Sequence, residues 1–377
     1  MLTAFTLNQS ASWWIGNPWL MPFVFIGGLL VVKKIKRFDL VSSFFLVAGI
    51  TTVGAAIIMG GSFMIAVQRT FLNSSLLFFS FIMITEPLTT PPTKMLRIYY
   101  GILVGLLFAP TVHIGPIYFT PELALIVGNI FSYIVSPKQK LILTLEEKIR
   151  VTPTIFNFVF NSNVPITFMP GQYLEWTLGH YRPDMRGNRR YFTIASSPTE
   201  QKVHLGVKFY EPSSSFKRAL AFMCIGEKIV ASQLSGDFTL PKDRNRKLAF
   251  IAGGIGITPF RSMIKYLIDM NEKRNIILMY SNRTADEIAY KEIFDEASEK
   301  IGLAAVYAIT DKDVSAPDWC SLGFINTQMI MKEIPDYKER TFYISGPKVM
   351  VDAFKKTLKE LGIKKSHIKI DFFPGFV

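Results

Sequence analysis

Along the first 135 residues the apolar positions are continuous rather than periodic, in runs at 17–32, 40–60, 62–85, 98–112 and 117–135. Each run approaches the ~20 residues that cross a hydrocarbon core as an α-helix, so the pattern predicts a transmembrane bundle of five spans. Gln68, Arg69 and Asn73 interrupt the third run, which reads as well as a broken or re-entrant piece. The fourth is short before Pro110, and four full spans is the alternative. From residue 140 the texture changes to alternation, as at 155–160 and 203–209, which predicts short strands of a small antiparallel β-barrel ending near residue 240. Beyond it strands at 247–252, 276–280, 304–309 and 341–345 are interleaved with helices at 258–269, 288–300 and 348–361, the order of a parallel α/β nucleotide domain. The expected organisation is thus multidomain: an α-helical transmembrane domain at 1–138, a barrel at 139–242 and an α/β parallel-sheet domain at 243–377.

Charge orients the first of these. Lys33, Lys34, Lys36 and Arg37 follow the first run, Lys94 and Arg97 the third, and Lys138 and Lys140 the fifth. Alternate loops carry the cations, and the positive-inside rule places them, and everything after residue 136, in the cytoplasm. Trp13, Trp14 and Trp19 suit an outer aromatic belt, and the uncharged first twelve residues lack the basic region of a signal peptide, so the first span is expected to be retained. Glu86 and Glu122 are read as caps at span ends rather than intramembrane functional carboxylates. The chain has 49% hydrophobic residues, 32 Phe and a mean hydropathy of +0.28, which excludes disorder.

The net charge of +13 does not signal nucleic acid. Residues 1–139 hold 8 Lys/Arg against 3 Asp/Glu and the remainder 34 against 26, with no basic run interleaved with aromatics. Anionic lipid headgroups and anionic cofactors explain the excess better. The two cysteines, Cys224 and Cys320, cannot ligate an iron–sulfur cluster, and the four scattered histidines, His113, His180, His204 and His367, exclude stacked haems on the helices. No metal is expected, and redox chemistry falls to an organic cofactor.

The candidate chemistry is concentrated in the second half. In Arg190-Tyr191-Phe192-Thr193-Ile194-Ala195-Ser196, preceded by Pro170-Gly171-Gln172-Tyr173, a guanidinium can pair with a pyrophosphate, an aromatic two positions on can pack on an isoalloxazine, and the next hydroxyl can bond its reactive nitrogen. A frame on Arg189 and Tyr191 would put Phe192 in the hydroxyl position, and plain core packing is the rival reading. Pro212-Ser213-Ser214-Ser215-Phe216 reads as a serine-capped helix start, suited to a pyrophosphate or merely to capping. In Ala252-Gly253-Gly254-Ile255-Gly256-Ile257-Thr258-Pro259, between a strand and a helix, glycines admit a pyrophosphate to the backbone and Pro259 suits a first helical turn.

These segments resemble the ferredoxin-NADP reductase superfamily over about residues 140–377: its Arg-x-Tyr-Ser/Thr signature at Arg190, Phe192 and Thr193, its NAD(P) turn at 253–259, and its Cys-Gly-Pro-x-x-Met segment at Ser345, Gly346, Pro347 and Met350. The resemblance implies non-covalent FAD, with FMN as the alternative, Ser345 in place of the cysteine beside the nicotinamide, and a flavin-shielding Phe373 or Phe376. Asp311 stands where NADPH-specific relatives tend to have a Ser-Arg pair, so NADH is expected over NADPH, although Arg283 could meet a 2′-phosphate. Separately, 76–91, 100–107 and 125–129 resemble the NqrB/RnfD membrane subunits, a likeness spanning about residues 13–135. Glu86 replaces that family's usual Asp, and the Ser-Gly-Ala-Thr of its covalent FMN is missing; Val53-Gly54-Ala55-Ala56 ends in Ala. Covalent flavin and pumping are therefore not implied. The expected protein is a multi-pass inner-membrane oxidoreductase with cytoplasmic catalytic domains, passing electrons from NADH through FAD to a quinone or redox protein. A redox-coupled ion translocator and a docking module are the alternatives.

Overall fold

The computed structural model describes residues 18–35, 37–86, 89–109, 112–115, 117–136, 140–311, 313 and 317–371, so Trp13, Trp14, Pro110, Phe373 and Phe376 lie outside the described residues. The chain divides into two units, Met1–Lys138 with Pro374–Val377, and Gln139–Phe373.

Each apolar run of the first unit forms helix: Met21–Ile35 (α1), Phe38–Ile58 (α2), Phe63–Leu72 (α3), Lys94–Leu107 (α4) and Pro121–Val135 (α5). Among the described residues only α2, with 21 residues, is long and apolar enough to cross a membrane. The third run breaks where the Ser74 hydroxyl bonds Thr70 O (2.5 Å) and takes the Leu76 N–H (3.1 Å), a side chain substituting for the helical ladder. Its continuation, Leu76–Met83, is bent by 51° from α3, and the two make a second span only if counted as one. α1, α4 and α5 have 15, 14 and 15 residues. At 1.5 Å per residue each is about 21–23 Å long, short of the ~30 Å hydrocarbon thickness. The five-span expectation is corrected accordingly: hydropathy counted apolar residues that the helices leave out. α5, for example, starts only at Pro121, where Thr120 Oγ1 caps the Leu123 N–H at 3.3 Å.

Close packing of α2 on α4 depends on glycine. A Cβ on Gly101 would lie 2.1 Å from Ser43 Oγ and 2.8 Å from Leu40 O, and one on Gly105 3.0 Å from Phe44 O and Val47 Cβ, so neither position has room for a side chain. Arg97 Nε donates to Asp39 Oδ2 across the same pair at 2.8 Å. Glu122 sits in the first turn of α5, the favourable end of its dipole, and Glu86 is exposed.

The second unit opens with strands Leu141–Arg150 (β1), Ile155–Ser162 (β2), Tyr173–Thr177 (β3), Arg189–Thr193 (β4), Val203–Lys208 (β5) and Lys228–Ser235 (β6), with helix Ser215–Phe222 (α6) before β6. They form a six-stranded antiparallel sheet in the order β4-β3-β6-β1-β2-β5. Leu143, Phe160, Trp176, Leu205, Ile229 and Phe216 of α6 share one apolar core. A backbone bond from Ala195 N–H to His204 O (2.9 Å) joins the two edges, which gives the sheet its barrel form.

The rest alternates: Leu248–Gly253 (β7), Thr258–Asp269 (α7), Ile276–Asn282 (β8), Lys291–Ile301 (α8), Ala304–Ile309 (β9), Cys320–Leu322 (β10), Thr327–Glu333 (α9), Thr341–Ser345 (β11), Lys348–Glu360 (α10) and Ile368–Ile370 (β12). The sheet is parallel in the order β10-β9-β8-β7-β11-β12. Every residue of β7 and β11 is buried, as central strands covered on both faces must be. The chain runs outward from β7 to one edge and returns beside β7 as β11. The β7/β11 boundary is thus the topological switch point, where open α/β sheets place ligands beyond the strand carboxyl ends.

Candidate flavin and nicotinamide site

At that switch point two turns meet. β7 ends at Gly253, a 3-10 turn spans Gly254–Ile257, and α7 starts at Thr258 with Pro259 in its first turn. Gly254 has φ +52°, a left-handed conformation that favours glycine. A Cβ on Gly256 would lie 2.5 Å from Ser345 O and 2.6 Å from Gly346 N, so the turn after β7 rests directly on the backbone after β11. Gly253 faces Met350 Sδ, which would lie 2.1 Å from a Cβ there, with Pro347 at 3.5 Å. Gly253, Gly254, Gly256, Thr258, Pro259, Ser345, Gly346, Pro347 and Met350 are thereby brought together. Ser345 is buried, and its hydroxyl donates to Asp371 Oδ2 at 3.0 Å. Sequence reasoning missed Asp371: it reaches Ser345 because β12 pairs with β11 and Asp371 N–H bonds Ile344 O (3.0 Å).

At the ends of the neighbouring strands, Arg283 Nε pairs with Asp311 Oδ2 at 3.2 Å; Arg283 is largely exposed and Asp311 mostly covered. Asn282, at the carboxyl end of β8, is only 4% exposed, and its side chain meets the Tyr280 hydroxyl. A buried amide beside a glycine-rich turn suits a polar ligand such as a dinucleotide.

The flavin side differs from the sequence expectation in one respect. Register pairs Phe192 with Leu174 and Arg190 with Trp176, so Arg190 and Phe192 share the face of β4 that meets the core. Tyr191 and Thr193 share the other face with Glu175 and Tyr173. Phe192 packs on Phe216 (5.8 Å between centroids), whereas Tyr191 meets Tyr173 edge-on at 5.7 Å and donates to Glu175 Oε2 at 2.8 Å. Ser196 accepts the His204 N–H at 3.1 Å and so serves the sheet edge.

Arg190 is buried, with its guanidinium 5.5 Å from the Phe216 ring. It donates to Asp184 Oδ1 and Oδ2 (2.8 and 3.0 Å) and to the carbonyls of Arg186 (3.0 Å), Gly187 (2.9 Å) and Arg189 (2.7 Å). Asp184 also accepts the Ser215 N–H at the start of α6 (3.2 Å), which Ser214 caps through the Lys217 N–H (3.3 Å). Burial alone would raise the Asp184 carboxyl, but the Arg186 N–H, the Arg190 guanidinium and the Ser215 bond together hold it at about 2. Sequence reasoning passed over Asp184, since nothing in its own spacing marks it. Asp184 thus accepts from Arg190 Nη2 and from the first N–H of the eight-residue helix α6 at once.

Residues 250–356 match the model of the Oxidoreductase NAD-binding domain. The chain is similar to the flavohemoprotein of Bacillus cereus, 29% identical over 216 residues covering 55% of this chain and 53% of that protein. It is 33% identical over 156 residues to a component of the Na(+)-translocating NADH-quinone reductase of Yersinia pestis, covering 40% of this chain and 38% of that one. The flavohem-like FAD/NAD-binding domain of nitric oxide dioxygenase from Vibrio cholerae superposes with TM-score 0.54 at 19% identity, over 62% of this chain and 98% of that one. The second unit has the two-domain fold of these FAD/NAD-binding proteins. It is an NAD(P)H oxidoreductase module, with FAD and NAD(P)H as its cofactors. The chain spans about half the length of the flavohemoproteins it matches. The likeness to the NqrB/RnfD subunits finds no counterpart in these matches.

Proposed function

We propose that the protein takes hydride from NADH onto FAD in its second unit and passes the electrons to a quinone or a redox protein, with the first unit attaching it to the cytoplasmic side of the cell membrane. The observation that carries this reading is the fit of two anion-receiving sites in one unit: the Gly256 turn seated on Ser345–Gly346, and Arg190 with the α6 N-terminus gathered around a carboxylate. The division at residues 138 and 242 belongs to the same reading.

FAD supplies the hydride-accepting nitrogen and the ability to release electrons singly. The protein's own share is positioning and exclusion of water. Arg190, Ser214, Ser215 and Phe216 would hold the diphosphate, and Tyr191, Phe192 and Thr193 would receive the ring. Gly253, Gly254, Gly256, Thr258 and Pro259 receive the nicotinamide dinucleotide's pyrophosphate. Ser345, held by Asp371, sets the nicotinamide, flanked by Gly346, Pro347 and Met350. Purified protein should be yellow, release its flavin on denaturation and bleach when NADH is added without oxygen. A preparation that binds no flavin and ignores NADH refutes the reading.

Asp184 must leave Arg190 for a diphosphate to take its place. Asp184→Asn removes the competing charge, and flavin affinity is expected to rise by about tenfold, roughly 1.4 kcal/mol. Titration of the apoprotein by flavin fluorescence reads this, and a weakened affinity would show instead that Asp184 helps to hold the cofactor.

Asp311 favours NADH by accepting ribose hydroxyls and by occupying Arg283, the nearby cation that would meet a 2′-phosphate. Asp311→Ala is expected to shift the NADPH-to-NADH ratio of kcat/KM by about tenfold, the order of one charge contact. An unchanged ratio removes the pair from cofactor choice.

Support for membrane attachment comes from α2, the bent pair after it and the basic residues flanking α1. The similarity to a component of a Na(+)-translocating NADH-quinone reductase supports a quinone as acceptor. In liposomes with NADH and a quinone, acceptor turnover without a voltage or pH gradient separates this reading from ion translocation.

A further inference from the structure

The helix that follows the nucleotide turn is tied to the strand that follows the flavin signature, and Arg261, which the proposed chemistry leaves unused, makes the tie. Arg261 is 6% exposed on α7, one turn after Thr258. Its Nη1 donates to Ala195 O at 2.9 Å, two residues beyond Thr193, and its Nη2 donates to Glu200 Oε1 at 2.8 Å, with Nη1 meeting Glu200 Oε2 as well. The next residue, Ser262, donates from its hydroxyl to Ser196 O at 2.6 Å. Glu200 is itself fixed by the Ser197 N–H at 2.6 Å. His204 Nδ1 lies 3.9 Å from Glu200, but burial, with Arg261 adding to it, pushes that imidazole down to about 4. At pH 7 His204 is therefore neutral, and Arg261 supplies the positive charge that answers Glu200.

A buried ion pair adds little net stability, because desolvation offsets its attraction; a planar guanidinium bonded at two points to a carboxylate instead fixes orientation. The Nε of Arg261 is left without a hydrogen-bond partner among the described residues, at a cost that apolar packing would avoid. Hydride transfer is the step that gains most from such rigidity, since misplacement of ~1 Å costs on the order of 100-fold.

We infer that Arg261 is a positioning residue for hydride transfer, locking α7 to the 195–200 segment so that the nicotinamide and flavin sites keep their reacting distance. The inference rests on the function proposed above. It is tested with Arg261→Lys and Arg261→Gln in the full-length chain. The rate of flavin bleaching by saturating NADH should fall on the order of 100-fold in Arg261→Gln. Arg261→Lys, which keeps the charge but loses the fork, should recover only part. Flavin content and half-saturating NADH should stay within about twofold, and the deuterium isotope effect from 4-deuterated NADH should grow as transfer becomes limiting. In the flavin-free chain, backbone amides of 195–204 and 258–265 should exchange faster in both segments together. Equal bleaching rates overturn the inference, as does a rate loss that merely follows lost flavin, or exchange unchanged in one segment. A wild-type chain that NADH never bleaches defeats instead the reading on which it rests.

Discussion

Gly256→Ala should leave flavin bound and abolish its reduction by NADH at concentrations that saturate the native protein. The added methyl would stand 2.5 Å from Ser345 O and 2.6 Å from both Ser345 C and Gly346 N. These are backbone atoms of a central buried strand end, which cannot rotate aside as a side chain does. Overpacking of this kind costs about 1–3 kcal/mol, and here it is relieved only by parting the two turns that receive the dinucleotide. The half-saturating NADH concentration is expected to rise at least ~100-fold, equivalent to about 2.7 kcal/mol. Gly254→Ala is the control: nothing lies within 4 Å of its Cβ, and only its φ of +52° resists the change. That strain is about 1–2 kcal/mol, so its effect should be the smaller of the two. Flavin absorbance followed by stopped flow against NADH concentration separates them, and a Gly256→Ala protein with native NADH dependence would show that this turn does not receive the nucleotide.

Arg190→Ala should lose flavin. The substitution removes the guanidinium beside the α6 N-terminus, and it leaves the Asp184 carboxylate without the Nη2 that donates to both its oxygens. Asp184 is partly exposed, so losing its charged partner costs about 1.5–3 kcal/mol, the order of a hydrogen bond to a charged group. Flavin affinity is expected to drop by about 100-fold or more, and the apoprotein to melt lower. Pairing Arg190→Ala with Asp184→Ala separates the two effects: stability should recover once no carboxylate is stranded, while flavin affinity should not. Arg190→Lys should restore charge without the fork and recover affinity only in part. Flavin held within about threefold of native affinity by Arg190→Ala would move the diphosphate to another site.

Much of the second unit's fold was legible along the chain. The helix 258–269 and the strands 304–309 and 341–345 coincide with α7, β9 and β11, because glycine turns and Pro259 punctuate runs whose period changes sharply there. The short β10 and α9 were not anticipated; segments of 3–7 residues carry too few periodic positions to announce themselves. In the first unit, Gln68, Arg69 and Asn73 announced a break, seen as the 51° bend after Leu72, but helix lengths were overestimated where capping residues begin a helix later than the hydropathy does.

What the sequence by itself determined is the local vocabulary: alternation that makes strands, a Gly-Gly-x-Gly-x-Thr-Pro turn that opens a helix, and apolar runs that must be helical. These depend on residues within a turn or two of one another. Tertiary structure alone decided which face of β4 carries Arg190 and Phe192, since a shift of one residue in strand register exchanges the two faces. It also decided the partners of Ser345 and Arg261, because Asp371 and Glu200, 26 and 61 residues away along the chain, reach them only through the packing of distant segments. A carboxylate's spacing along the chain does not say which buried cation will find it; desolvation makes that choice only once the strands have packed.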